Sequence, residues 1–261
     1  MILPRDEAGS GPAVVFLHAG IADRRMWSGH LDVLAGAGHR AIALDLQGFG
    51  EAPLQPGPQA PWQDVIETLD ELGLDRVALV GSSFGGLIAQ RVAFLAPERI
   101  SCLALISSPV EGIEPSERLQ AAWESEEEAL ESGDLDAAVA AVVDTWTLPD
   151  APAALRESVA EMQRRTFEMQ AGVDELDEAP DPLADGPEPL GQIAVPVLLA
   201  VGEHDMSDFH EAASVLAAIL PHALRETIAG AGHLAPMEQP KAFDELLLHL
   251  LADQGENALP T

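Results

Sequence analysis

Basic residues are scarce in this sequence and tyrosine is absent from it. The 261 residues include 13 Lys and Arg side chains, with Lys241 as the one lysine, against 44 Asp and Glu, which gives a formal net charge of −31. Such a field repels nucleic acid and anionic membrane surfaces, so we expect neither as a partner. Because there is no Tyr, every mechanism that needs a phenol is excluded.

Cysteine and long apolar runs are also scarce. The single Cys102 excludes an internal disulfide, and its apolar neighbours predict an inert core residue. No apolar run approaches the roughly 20 residues of a membrane-spanning helix, and residues 1–12 lack the pattern of a secretory signal. No spacing of His, Cys, Asp and Glu suggests a metal site, and we expect no cofactor. We therefore expect a soluble cytoplasmic protein, either a monomer or a homodimer.

Short apolar runs alternate with helical patterns along most of the chain. The runs are apolar throughout, which is typical of strands buried on both faces of a parallel sheet. The predicted strands are Ala13–His18, Ala41–Leu46, Val77–Gly81, Cys102–Ile106, Val195–Val201 and, more weakly, Leu224–Ile228. The predicted helices between them are Trp27–Gly36, Trp62–Leu72, Phe84–Leu95, Phe209–Leu220, with Asp208 as its N-cap, and Lys241–Ala252. This alternation predicts an α/β fold with a doubly wound, mostly parallel sheet.

One long segment interrupts the alternation. Residues 109–190 show three helical patterns, the second with Asp134 as its candidate N-cap, and no strand. The stretch 173–190 is acidic and rich in proline, which predicts a loop or linker. The segment holds 22 of the 44 acidic residues and 4 of the 13 basic ones. We interpret 109–190 as a helical cap inserted into a core formed by residues 1–108 and 191–261.

A glycine-rich turn follows the predicted strand Val77–Gly81. The residues Gly81-Ser82-Ser83-Phe84-Gly85 fit the pattern G-x-S-x-G, with Ser83 at its centre and Ser82 at a variable position. In this pattern the central serine lies in a strained strand-to-helix turn, and the flanking glycines leave room for that turn. The N-terminus of the following helix favours a developing anion beside the hydroxyl. We predict that Ser83 is a catalytic nucleophile.

A serine nucleophile needs a base and a group that orients the base. His233 lies in a glycine-flanked loop, GAGHLAPMEQP, before the final helix, which suits an imidazole base. Asp205 follows the strand Val195–Val201, at the sheet edge where α/β folds place catalytic groups. Asp208 and Glu203 remain alternatives for the acid.

An oxyanion formed at the predicted serine needs backbone N–H donors. The first should come from Phe84, the residue after the nucleophile. The second should come from the loop after the first buried strand, where we assign Gly20. His18, in the same loop, is predicted to hold it in place through a side-chain hydrogen bond.

Five motifs, in their order along the chain, resemble those of the α/β-hydrolase superfamily. They are FLHAGIADRRMW, LDLQGFGEAP, VGSSFGG, VGEHD and GAGHLAPMEQP. The chain is most similar to the single-cap group of small esterases, enol-lactonases, cofactor-free haloperoxidase-type esterases and C–C bond hydrolases. The resemblance implies a serine hydrolase, because epoxide hydrolases and haloalkane dehalogenases have an aspartate at the position of Ser83. Two departures are Ala19, where the family usually has glycine, and a shortened N-terminus, with twelve residues before the first buried strand.

We expect a small, mainly uncharged carboxylic ester or lactone as substrate. The acidic charge disfavours polyanions such as acyl-CoA. The candidate substrate-binding residues are Trp27, Trp123, Trp146, Arg164 and Leu234. The tryptophans suit either an apolar pocket or the core, while Arg164 and its neighbour Arg165 suit either a substrate carboxylate or nearby glutamates. Two alternatives stay open, namely a C–C bond hydrolase or enol-lactonase of aromatic degradation acting on a carboxylate-bearing substrate, and a non-catalytic small-molecule binding protein.

Overall fold

A seven-stranded sheet forms the centre of the computed structural model, which describes residues 1–171 and 179–256. Its strands are β1 (Arg5–Gly9), β2 (Ala13–Leu17), β3 (Arg40–Leu44), β4 (Val77–Ser82), β5 (Ile100–Ile106), β6 (Val197–Gly202) and β7 (Ala223–Ile228). Their order is β1-β3-β2-β4-β5-β6-β7, and every pair is parallel except β1 with β3. The predicted mostly parallel α/β sheet is confirmed, and its six predicted strands correspond to β2–β7.

The edge strand β1 is absent from the sequence-based prediction. Its residues, RDEAG, are polar or small, and most of them are exposed. The strand is held by antiparallel pairing with β3, in which Asp6 lies opposite Ala43. An edge strand with exposed faces needs no apolar pattern, so composition could not reveal it. The short N-terminus therefore provides one antiparallel strand before β2.

Nine helices occur within the described residues. They are α1 (Ser28–Gly36), α2 (Pro61–Glu71), α3 (Phe84–Leu95), α4 (Glu117–Glu131), α5 (Leu135–Trp146), α6 (Ala153–Gln170), α7 (Ser207–Ile219), α8 (Ala235–Glu238) and α9 (Pro240–Glu256). Two hydrophobic clusters lie in the core, and the side chains of β2 alternate between them, with Val14 and Phe16 in one and Val15 and Leu17 in the other. This alternation explains the unbroken apolar run of β2, since both faces of the strand are covered.

Helices α4, α5 and α6 form an insertion between β5 and β6. The Asp134 side chain accepts a hydrogen bond from the Ala137 amide at 3.0 Å, which makes it the N-cap of α5 as predicted. The predicted loop 173–190 lies partly outside the described residues, of which 179–190 contain turns and the start of a short 3-10 helix, Glu188–Gln192. The division into a core and a cap at residues 109 and 190 stays a prediction.

A buried arginine joins both ends of this insertion to α3. Arg91 is fully buried, and its guanidinium donates to Glu111 at 2.8 Å and through Nε to Asp181 at 3.1 Å. Glu111 follows β5, whereas Asp181 follows the last inserted helix. Helix α3 and the two ends of the insertion are therefore joined through one cation.

Asp208 does not cap α7, in contrast to the prediction. The helix begins at Ser207, with Met206 as N-cap, so Asp208 lies in its first turn. Its carboxylate accepts instead from the Ser116 amide and hydroxyl, each at 2.7 Å. Although burial acts to raise its pKa, these hydrogen bonds from Ser116 bring the pKa of Asp208 below its ordinary value. Because Ser116 is the N-cap of α4, this contact fixes the start of the insertion to the core.

Candidate active site

The turn between β4 and α3 places Ser83 in a conformation that L-residues rarely adopt. Its φ and ψ are 51° and −116°, and its amide donates to the Ile106 carbonyl at 2.8 Å. A Cβ on Gly81 would lie 2.3 Å from the Gly85 carbonyl oxygen, and one on Gly85 would lie 2.3 Å from that of Leu17. Both glycines are therefore required by backbone packing, which is the physical reason for the spacing in the motif.

His233 lies within hydrogen-bonding distance of both Ser83 and Asp205. The Ser83 Oγ is 2.9 Å from His233 Nε2, and His233 Nδ1 is 3.0 Å from Asp205 Oδ1. A carboxylate only accepts hydrogen bonds, so a neutral imidazole in this position carries its proton on Nδ1 and leaves Nε2 to accept from the hydroxyl. The structure thus brings together the three predicted residues in an arrangement that can take a proton from the serine.

Two aromatic rings hold the imidazole of His233. The ring centroid of Trp146, from α5, lies 4.5 Å from the imidazole, and that of Phe209, from α7, lies 4.3 Å away. Phe209 was missed by the sequence analysis because a phenylalanine at a helix start gives no sign of a distant partner. Because Trp146 belongs to the insertion, the orientation of the imidazole depends on how α5 packs against the core.

Glu238 is a second residue that the sequence analysis missed. Its side chain accepts from the Gly232 amide at 2.6 Å and from the Leu148 amide at 3.2 Å. Burial raises the pKa of Glu238, which these backbone hydrogen bonds counteract. The carboxylate therefore fixes the loop before His233 and joins it to Leu148, two residues after the end of α5.

The predicted oxyanion donors, Gly20 and Phe84, lie beside Ser83 on the wall of one cavity. Phe84 opens α3, so its N–H is among the helix amides that have no intrahelical acceptor. The Cβ position of Gly20 is 3.4 Å from the Phe84 Cβ, which shows how close the two loops approach. His18 orders the first of these loops, because its ring contacts the Ala19 carbonyl at 2.8 Å and accepts from the Leu46 amide at 3.0 Å.

Ser83 and His233 open onto a cavity of about 770 Å³. Much of its wall is apolar, with Ile21, Leu87, Val110, Ile113, Leu119, Leu130 and Phe209 among the lining residues. Five carboxylate side chains also reach it, from Glu111, Glu126, Glu127, Glu131 and Asp208. Within the described part of the chain, no Lys or Arg lines this cavity. The space beside the serine is therefore apolar with a negative charge.

A second cavity of about 380 Å³ adjoins the first. The two share Gly20, Phe84 and Leu87 as lining residues, so they meet at the predicted oxyanion donors. The second cavity is lined mainly by apolar and amide side chains, including Trp62 and Gln170. The two cavities therefore lie on either side of Gly20, Phe84 and Leu87.

The candidate substrate-binding residues are divided by the structure. Trp123 and Trp146 line the large cavity. Trp27 is instead fully buried in the core, because its ring packs against Phe16, with the two ring centroids 4.9 Å apart. Leu234 is also fully buried, within one of the hydrophobic clusters.

The two arginines do not line the large cavity either. Arg164 forms an exposed ion pair with Asp136, and Arg165 donates to the Gly50 carbonyl. Both are therefore engaged by groups of the chain itself, and the predicted contacts of Trp27, Leu234 and Arg164 with a substrate are corrected by these placements.

Residues 1–171 and 179–256 show no group of three or more His, Cys, Asp or Glu side chains that could hold a metal ion. Over the same residues, every helix is too short or too polar to cross a membrane. Cys102 is a free, buried thiol in β5, and burial raises its pKa to about 12.

Comparison with known proteins identifies the family. Residues 12–240 match the family model described as the alpha/beta hydrolase fold, so the chain belongs to this family. The chain is similar to epoxide hydrolase 2 of Siraitia grosvenorii, with 38% identity over 38% of this chain and 33% of that protein. It is also similar to an esterase of Mycobacterium tuberculosis, with 35% identity over 38% of this chain and 33% of the esterase. Each match thus spans about a third of the curated relative.

A solved structure extends the similarity to nearly the whole chain. A thermophilic esterase from Thermogutta terrifontis superposes with a TM-score of 0.80 and 25% identity, over 97% of this chain and 93% of that one. The described architecture is therefore that of an α/β-hydrolase with esterase and epoxide hydrolase relatives.

Proposed function

We propose that this protein is a serine hydrolase that cleaves small carboxylic esters or lactones without a metal or cofactor. The observation that carries the proposal is the 2.9 Å contact between Ser83 Oγ and His233 Nε2, at the base of a cavity large enough for a small organic molecule. Asp205, at 3.0 Å from the other imidazole nitrogen, supplies the third group of the triad.

The reaction follows from the positions of these groups. His233 takes the hydroxyl proton as Ser83 Oγ attacks the carbonyl carbon, and the amides of Gly20 and Phe84 donate to the oxyanion. The C–O bond to the alcohol breaks as the imidazolium returns the proton to the leaving oxygen. Water, activated by the same imidazole, then attacks the acyl-serine and releases a carboxylic acid and the free hydroxyl.

A serine at position 83 favours ester cleavage over epoxide opening. Epoxide hydrolases have an aspartate at this position and are expected to carry tyrosines in their cap. This chain has Ser83 instead of the aspartate and has no tyrosine. The carboxylate-bearing substrates of C–C hydrolases and enol-lactonases are disfavoured too, because acidic side chains and, in the described residues, no Lys or Arg line the cavity.

The experiment is intact-mass measurement after exposure to a fluorophosphonate. We expect one adduct on the wild type and on Ser82→Ala, and none on Ser83→Ala. Ser82 is the matched control, because it neighbours Ser83 in the same turn but is fully buried. An adduct that persists in Ser83→Ala, or its absence from the wild type alongside a lack of activity on a panel of p-nitrophenyl esters, would contradict the proposal.

A further inference from the structure

The face that α4 turns to the large cavity combines an aromatic ring with carboxylates. Six of its residues line the cavity, namely Leu119, Trp123, Glu126, Glu127, Leu130 and Glu131. Their spacing of three, four, seven and eight positions from Trp123 places them along one side of the helix. Glu124 and Glu128 are exposed and do not line the cavity. The acidic residues of α4 thus fall into two sets, those that line the cavity, of which Glu127 and Glu131 are also exposed, and those that do not line it.

Two of the five cavity carboxylates are compensated within the protein. Glu111 pairs with Arg91 at 2.8 Å, and Asp208 accepts from Ser116. Glu126 differs from both, since it has no hydrogen-bond or ion-pair partner among residues 1–171 and 179–256. It is half-buried, and burial alone raises the pKa of Glu126. The charged form of a carboxylate in a partly apolar wall is disfavoured by desolvation, and here no cation offsets that cost.

The aromatic groups of the same wall suit a positive charge. Trp123 keeps 51% of its surface exposed although it is a large apolar residue, and it lies one helical turn from Glu126. The π face of a tryptophan attracts an organic ammonium, and a nearby carboxylate adds Coulombic attraction. Trp146 and Phe209 lie deeper in the cavity, next to His233. The cavity therefore has an aromatic and negative entrance above the nucleophile.

We infer that Glu126 and Trp123 are specificity-determining residues that select esters bearing an organic ammonium group. This inference rests on the proposed ester hydrolysis at Ser83 and narrows its substrate class. It departs from the mainly uncharged ester expected from the sequence, because the substrate carries a positive charge on a group that reaches α4, away from the reacting carbonyl. The net charge of −31 adds long-range attraction for such a substrate.

The test compares esters that share their shape and differ in charge. In each pair, a tert-butyl group replaces the trimethylammonium group. On the alcohol side, butyrylcholine is matched by 3,3-dimethylbutyl butyrate. On the acyl side, ethyl 4-(trimethylammonio)butanoate is matched by ethyl 5,5-dimethylhexanoate. We expect the wild type to prefer the cationic ester of at least one pair by about tenfold in kcat/KM at low salt. The preferred pair identifies which half of the ester lies against α4.

Two charge variants on the same helix separate the specific effect from general charge, and a third variant tests the aromatic ring. In Glu126→Gln we expect the preference to fall to about threefold or less, because kcat/KM drops more for the cationic ester than for its neutral isostere. Glu128→Gln removes the same charge from the solvent-facing side and should keep the preference. Trp123→Leu should lower kcat/KM for the cationic ester more than for its isostere.

The outcomes distinguish this inference from the proposed function. A wild-type ratio near one in both pairs, or an equal loss on both esters in Glu126→Gln, overturns the cationic preference while ester hydrolysis stands. A loss of preference in Glu128→Gln as large as that in Glu126→Gln also overturns it, because bulk charge then explains the effect. If all four esters are inert and Ser83 is not labelled by the fluorophosphonate, both proposals fail.

Discussion

Replacing Arg91 with methionine tests how firmly the insertion is tied to the core. The substitution keeps a long side chain but removes hydrogen bonds to Glu111, Asp181 and the Leu87 carbonyl. Hydrogen bonds to charged groups contribute about 1.5–3 kcal/mol each, and a partner left buried without one adds a cost of desolvation. Here the partners are partly exposed, 41% for Glu111 and 30% for Asp181, so they regain water. Removal of the buried guanidinium also recovers some of its desolvation cost.

These opposing effects leave a net loss of about 2 kcal/mol in the free energy of unfolding. For a chain of this size, that loss lowers Tm by about 4–8 °C. The assay is urea and thermal unfolding followed by circular dichroism. Arg91→Lys, which keeps the charge but loses the planar fork, should fall between methionine and the wild type.

The matched control is Arg164→Met, which breaks an ion pair with Asp136 on the surface. Those side chains are 39% and 85% exposed, so we expect a loss below about 1 kcal/mol. The reasoning is refuted if Arg91→Met unfolds within about 0.5 kcal/mol of the wild type, since the shared cation would then hold nothing together.

Three further predictions concern the turn, the thiol and pH. Gly85→Ala should give little folded protein on expression, because its Cβ would meet the backbone oxygens of Leu17 and His18 at 2.3 and 2.5 Å; normal yield and Tm would contradict this. Cys102, whose pKa is raised to about 12 by burial, should react with iodoacetamide only after unfolding, so modification of the native protein counts against its placement. Asp208→Asn should lower the unfolding free energy by about 1 kcal/mol at neutral pH. Because the folded pKa of Asp208 lies below the ordinary 3.8, this difference should vanish as pH falls through and below that value; a constant difference would refute the role of its charge.

The parts of the fold that follow from local rules could be predicted from the sequence. Strands β2–β7 are recognisable because most are covered on both faces, and the turn at Ser83 is recognisable because Gly81 and Gly85 have no room for a Cβ. Ser83, Asp205 and His233 each follow a strand of the sheet. Because the carboxyl ends of parallel strands share one edge of the sheet, the sequence predicts that the three side chains lie close together.

The remaining parts depend on partners far away in the chain. Asp208 reads as a helix cap, yet it meets Ser116, 92 positions earlier. Glu238 gives no signal of its contact with Leu148, at a separation of 90 positions. From the sequence, Trp27 suits either a pocket or the core, and in the structure it packs against Phe16 and Phe243. In each case the side chain satisfies ordinary local rules, and only packing decides which partner it meets.

Glu238 has a consequence for exchanging parts between relatives of this protein. One carboxylate accepts both from Gly232, next to the imidazole, and from Leu148, which follows α5. A chimaera that receives a foreign insertion must present an amide at the same place, or leave one partly buried carboxylate oxygen unpaired at a cost of about 1 kcal/mol. A new insertion therefore has to match the loop around His233 as well as the cavity wall. To transfer a substrate preference, the insertion and this loop would have to be exchanged together.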